Sequence, residues 1–203
     1  MYAVVENNNI TQFINYPKSI VIADVRYPAK IFTMWSQAEK EAIGIYEIIT
    51  DSTNYKDPAY YNNTNEQYTF ANGQVTKSWG TATAKRLEDE NAVDEDGNNI
   101  LQDGVQVINY GLKTEKKRIV KQQASGLLAP TDWYVVKSTE VADYDIPANI
   151  LSFRADVRTK SNEMETMINN CTTVDELKAL YEYTEQEDGT FTRPLPEFPK
   201  EVI

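Results

Sequence analysis

Gly126-Leu127-Leu128-Ala129-Pro130-Thr131-Asp132-Trp133-Tyr134-Val135-Val136-Lys137, followed by Ile146-Pro147-Ala148 and a long helical pattern, decides how this 203-residue chain is read. Upstream, Leu112 to Ser125 holds Lys113, Lys116, Lys117, Arg118 and Lys121 with Ile119 and Val120, which reads as a helix with a strongly basic outer face. Thr131 to Val136 reads as a turn or short strand that plants Trp133 in a core. Pro147 sits where proline is welcome, at the first turn of a second helix running to about Asn170. Two helices joined through an aromatic corner make a helical hairpin.

Working toward the N-terminus, the signals turn to strands. Tyr2 to Val5 and Ile10 to Ile14 flank Asn7-Asn8-Asn9 and predict two strands joined by a turn, since Asn tolerates positive φ. Ser36 with Glu39 three places on predicts a capping box opening a short helix that Gly44 closes, after which Ile45 to Ile49 is extended. Asn72-Gly73, at the centre of the alternating run Gln67 to Trp79, predicts a type I′ hairpin. A second hairpin is expected around Asp94 to Asn99, and the acidic stretch Glu88 to Asp96 reads as an exposed linker or loop. The character changes between Gly104 and Gly111, where a domain boundary is placed.

Toward the C-terminus, Ile150, Val157, Met164 and Cys171 recur at seven-residue spacing, with Phe153, Met167 and Ile168 on neighbouring positions. Arg154, Lys160 and Ser161 interrupt the other half of that seam, so packing against the preceding basic helix is expected rather than a self-standing coiled coil. Thr173 and Glu176 form another capping box before a last short helix. Beyond Glu185 the chain turns polar and proline-rich, and Arg193-Pro194-Leu195-Pro196-Glu197-Phe198-Pro199 is expected to be extended, with a bare PxxP at Pro196 and Pro199. The fold class expected is α+β: a β-rich N-terminal module with hairpins (1–104), a helical hairpin domain (105–185) and an extended proline-rich tail (186–203).

Composition excludes several chemistries. There is no histidine, so Ser-His-Asp and Cys-His nucleophile systems and His-based zinc sites are ruled out. Cys171 is the only cysteine, so no intramolecular disulfide forms, and its place on the helical seam marks it as a packing thiol. Asp94, Glu95, Asp96, Asn98 and Asn99 offer hard oxygen ligands, but they lack EF-hand spacing and read as a solvated turn. Carboxylate pairs such as Glu88 and Asp94 are commonplace in so acidic a chain and do not announce a glycosidase. With 20 Lys plus Arg against 31 Asp plus Glu, the net charge of -11 argues against sequence-independent nucleic-acid binding. No run reaches the roughly eighteen apolar residues of a membrane span, and the start Met1 to Glu6 lacks the marks of a secretory signal, so synthesis in the cytoplasm is expected. The 13 Tyr, with frequent Asn, suit protein-binding surfaces.

The segments Gly111 to Lys116 and Gln122 to Lys137, then Ile146-Pro147-Ala148, Phe153 to Arg158 and Thr172 to Leu177, resemble tail-fibre-associated proteins of tailed phages. In that group a basic helix leads to a leucine pair, a Thr-Asp-Trp-Tyr-Val core, an Ile-Pro or Val-Pro, and a long helix containing Arg and Ala. The resemblance covers about half the chain, from near Asn91 to Tyr183, and departs from the group's alanine-rich long helix at Asn162, Glu163, Met164 and Asn169. It implies a non-enzymatic virion part or a fibre-assembly factor, with no active site, metal or cofactor to carry over. The partners implied are other tail or fibre proteins and further copies of the chain, in the virion tail, with neither nucleic acid nor membrane. Trp133, Tyr134, Pro194, Pro196 and Phe198 are the expected partner-binding residues, with Trp133, Tyr134 and Asp132 alternatively serving the fold.

Overall fold

Two-residue turns with both residues at positive φ shape the N-terminal half: Asn7 (51°) and Asn8 (64°), Ala23 (46°) and Asp24 (64°), Asn72 (52°) and Gly73 (74°). This is the type I′ geometry whose twist matches that of paired strands. The computed structural model describes residues 1–200. Its contacts divide the chain into two compact units, Met1–Ala84 and one beginning at Lys85. A β-rich part followed by helices makes the protein α+β.

In the first unit, β1 (Tyr2–Glu6), β2 (Asn9–Ile14), β3 (Ile20–Ile22) and β4 (Val25–Tyr27) precede short helices α1 (Ile31–Met34) and α2 (Gln37–Glu41). Strands β5 (Ile45–Thr50), β6 (Tyr61–Asn62), β7 (Gln67–Ala71), β8 (Gln74–Ser78) and β9 (Thr83–Ala84) complete it. Five of them form one sheet in the order β2-β1-β5-β8-β7, antiparallel except for the parallel pair β5 and β8. The sheet curls until its edge strands approach, and Phe13 of β2 meets Tyr68 of β7 with ring centroids 4.6 Å apart. Alternation along the strands sends Val4, Ile14 and Ile45 to one face, where Ile20, Ile22, Ile31 and Phe32 cover them. Ala3, Val5 and Val75 lie in the other cluster, with Tyr46, Ile48 and Phe70 against them. The Ser36–Glu39 capping box is present, as the sequence predicts.

The second unit opens with β10 (Glu90–Asn91), β11 (Leu101–Gln102), β12 (Val105–Gln106) and β13 (Ile108–Asn109), small antiparallel pairs β10 with β13 and β11 with β12. Helix α3 (Leu112–Leu128), a 3-10 turn (Ala129–Thr131), α4 (Asp132–Glu140), α5 (Ala148–Asn170), α6 (Val174–Ala179) and the hairpin β14 (Thr184–Glu185) and β15 (Phe191–Thr192) follow. Pairs Lys117 with Asn169 and Lys121 with Glu165 show α3 and α5 packed antiparallel. Val157, Met164, Ile168 and Cys171 are buried along α5 at the spacing read from the sequence.

The boundary between units lies at Ala84 and Lys85 instead of near Gly104 to Gly111, and the acidic stretch is no linker. Glu90–Asn91 is paired, and Asp89 accepts the Gly111 amide at 2.7 Å and the Thr114 hydroxyl at 2.9 Å. The Leu112 and Lys113 amides donate to the Arg86 and Leu87 carbonyls at 2.9 and 3.1 Å. These are first-turn amides of α3 that no residue inside the helix can accept, so residues 86–89 cap it and belong with it. Gly111 permits this approach, since a Cβ there would lie 2.4 Å from the Glu88 carbonyl.

Candidate partner-binding surface

The corner between α3 and α4 is built on Arg154. This arginine of α5 is only 7% exposed, and its guanidinium donates to the Leu128 carbonyl at 3.0 Å and the Thr131 hydroxyl oxygen at 2.5 Å, and pairs with Asp132 at 2.8 Å. Thr131 in turn donates its hydroxyl to the Leu128 carbonyl at 2.7 Å. Leu128 sits at the end of α3, where carbonyls lack intrahelical partners, so the buried cation satisfies an orphaned acceptor while its own charge is compensated by Asp132. The residue that seemed to interrupt the hydrophobic seam therefore fixes the turn that carries the Thr-Asp-Trp-Tyr motif.

Beyond this corner the chain differs from expectation. Thr131 closes the 3-10 turn around Pro130, but Asp132 to Val136 is helical instead of a turn or strand, the start of α4, and Trp133 is 51% exposed instead of buried. The β-branched and aromatic residues would favour a strand, but local propensity yields to the Arg154 anchor and to an acidic residue, Asp132, in the helix's first turn. Helix α4 buries none of its residues, leaving Val135 and Val136 exposed beside Trp133. Trp133 and Tyr134 stack with centroids 3.8 Å apart, and the Lys137 ammonium lies 5.7 Å from the Trp133 ring and 4.2 Å from that of Tyr144. Together with Pro130, Pro147, Asn149 and Ile150 the two aromatics border a cleft of about 310 Å³. Rigid rings with polar tips, held at a helix start by a buried arginine, can grip a protein partner at low entropic cost.

The other expected contact residues lie elsewhere in the same unit. Pro194 is exposed, Pro196 half-buried, and Phe198 packs against the α3–α5 cluster of Ala124, Phe153 and Val157. The segment is extended, yet it is not a loose arm, because Leu195 is 2% exposed and its amide donates to the Leu180 carbonyl at 2.9 Å. Residues 184–192 before it form a hairpin. The last three residues of the expected tail lie outside the described residues.

The basic run of α3 is solvated only toward its end, where the side chains of Arg118 and Lys121 are exposed, and is covered at its start. Lys113 is buried and paired with Glu88, Lys117 donates to Asn169 at 2.8 Å, Arg118 pairs with Glu115 at 2.6 Å, and Lys116 lies 4.6 Å from the Tyr181 ring. The acidic remainder of the chain complements these cations.

Asp94 uses its carboxylate within its own turn, accepting the Asn98 and Asp96 amides at 2.8 and 3.0 Å. Those bonds, the Asn98 amide first, hold its carboxyl below the usual range, opposite to what a general acid requires. Among the described residues no cluster of three or more His, Cys, Asp or Glu could hold a metal, and no helix is long and apolar enough to cross a membrane. Burial pushes the Cys171 thiol up, and it donates weakly to the Met167 carbonyl at 3.4 Å, in keeping with a packing role. Compared with models of protein families, with curated proteins and with solved structures, the chain matches none of them.

Proposed function

We propose that this chain is a non-enzymatic structural or adaptor component of a tailed-phage virion, linking tail or tail-fibre proteins and acting in several copies. The observation that carries the reading is the Thr131-Asp132-Trp133-Tyr134 segment, which resembles that of tail-fibre-associated proteins. Its polar half is anchored by Arg154, and on α4 Trp133 is exposed while Tyr134 is half-buried beside it. An exposed tryptophan backed by a half-buried tyrosine on a pinned helix is what a docking surface needs, because the rings lose little freedom when a partner covers them.

Quantitative peptide mass spectrometry of purified particles tests this against the major tail and fibre proteins. The expected outcome is presence at a fixed multiple of three or six copies per particle. Absence from particles combined with abundance in infected lysate would replace the virion component by a fibre-assembly chaperone, to which the same resemblance extends.

A further inference from the structure

A cleft of about 430 Å³ lies where the second half of α3 faces α5, bordered by Lys121, Ser125, Asp132, Arg154, Arg158 and Asn162. Its charges do not balance. Arg154 is paired with Asp132 at 2.8 Å, and Lys121 with Glu165 at 3.3 Å, whose other oxygen accepts the Ser161 hydroxyl at 3.3 Å. Arg158 is left over. Its side chain is exposed, no carboxylate among the described residues lies within ion-pair distance of it, and its one hydrogen bond is long, 3.4 Å from Nη1 to the Arg154 carbonyl. The sequence of α5 gives the reason: three and four places away stand Ala155, Arg154, Ser161 and Asn162, none of them acidic, and Arg154 repels it. Neighbouring Arg118 and Lys160 each find a glutamate, Glu115 and Glu163, on their own helix.

We infer that this cleft takes one carboxylate, an Asp or Glu side chain offered by a protein partner. A guanidinium with its Nε and second terminal nitrogen unengaged presents two parallel donors, the arrangement that grips a carboxylate through both oxygens. One uncompensated positive charge also suits a single negative one, whereas a phosphate dianion would bring a charge too many beside Asp132 and Glu165. The cleft is roomier than a lone carboxylate needs. The side chains of Ser125 and Asn162, which take no hydrogen-bond partner from the described residues, line the rest of it and can meet peptide backbone on either side of the acid. That the carboxylate arrives on a protein rests on reading the corner at Asp132 and Trp133 as a partner surface; the carboxylate site itself stands on α3 and α5 alone.

The test is a heteronuclear NMR titration of the isotope-labelled full chain at fixed ionic strength, with acetyl-Ala-Glu-Ala-amide and acetyl-Ala-Gln-Ala-amide as probes. The Arg158 Nε–H signal and the Ser125 and Asn162 amide signals are expected to move saturably with the glutamate probe. Its affinity is expected to exceed that of the glutamine probe about fivefold, the share of one ion pair at an exposed site. Arg158→Gln, a change at an exposed position, is expected to bring the two probes level while the other signals keep their places. Equal affinities in the unmodified chain, or a preference for glutamate that survives Arg158→Gln, overturn the carboxylate site. Inorganic phosphate moving the same signals at lower concentration than the glutamate probe overturns the choice of a carboxylate. Acetate binding as tightly as the glutamate probe overturns the peptide and leaves a free carboxylate as the ligand. None of these results touches the virion reading, which mass spectrometry of particles tests separately.

Discussion

Replacing Arg154 by alanine removes the group that holds the Leu128 carbonyl, the Thr131 hydroxyl and Asp132 at one point. The site is buried on the arginine's side and wet on the aspartate's, whose side chain is 60% exposed. The two partners therefore differ in cost. Arg154→Ala is expected to destabilise the helical unit by about 3 kcal/mol through lost charge-assisted hydrogen bonds and an unfilled volume. Asp132→Asn leaves an acceptor in place at a solvent-screened position and costs about 1 kcal/mol or less. Trp133→Ala, at an exposed position of α4, stays within about 0.5 kcal/mol. Urea titration followed by helical circular dichroism ranks the three. A Trp133→Ala loss as large as that of Arg154→Ala would show that the aromatics serve the fold, and the docking surface would have to be sought elsewhere.

At the scale of elements, capping boxes make part of the fold acid-sensitive. The Glu176 carboxylate accepts the Thr172 amide at 2.6 Å, the Thr172 hydroxyl at 2.9 Å and the Thr173 amide at 3.3 Å, and the Thr172 amide leads in lowering its ionisation range below the ordinary value of 4.5. A carboxyl that ionises more readily folded than unfolded stabilises fully above the ordinary value, and that help disappears as pH falls through the lower folded value. Glu39, whose largest influence is the Ser36 hydroxyl, behaves alike at α2. Thermal melts of the Glu176→Gln chain are accordingly expected to lose less midpoint between pH 7 and pH 3 than those of the unmodified chain, because the amide oxygen still accepts but no longer titrates. Equal acid sensitivity in both would refute this role for the box. These boxes were legible in the sequence because their geometry is local, and so were the Asn72-Gly73 turn and the buried spacing of α5. The Asp103-Gly104 turn, at φ 52° and 79°, carries an equally local signal that the boundary reading passed over. The Ala23-Asp24 turn is illegible, because nothing in alanine announces positive φ. The helical state of Asp132 to Glu140 and the seating of Phe198 were hidden for another reason: both depend on partners distant in sequence, Arg154 for the first and Ala124, Phe153 and Val157 for the second.

At the scale of the whole molecule, the limits of the second unit follow from where the start of α3 finds its acceptors. A fragment beginning at Val105 would match the change in composition read from the sequence. It would also strip the helix of Asp89, which receives the Gly111 amide, and of the Arg86 and Leu87 carbonyls, which receive those of Leu112 and Lys113. Lys113 would lose its ion pair with Glu88 while its side chain stays largely buried, and β13 would lose β10. Water can replace some of these partners at an exposed helix end. It does so poorly around a lysine whose side chain is 11% exposed. With each of three amides worth about 1 kcal/mol and a largely buried cation deprived of its ion pair added, the shorter fragment is expected to fall about 3 kcal/mol or more below one beginning at Lys85. That loss is a large share of the stability a unit of this size commands. Fragments 85–203 and 105–203 should therefore separate clearly in thermal melts followed at the helical signal, the longer melting cooperatively and the shorter broadly or not at all. Equal midpoints would mean that α3 and α5 hold together by their shared apolar face alone, with residues 86–89 merely resting on it.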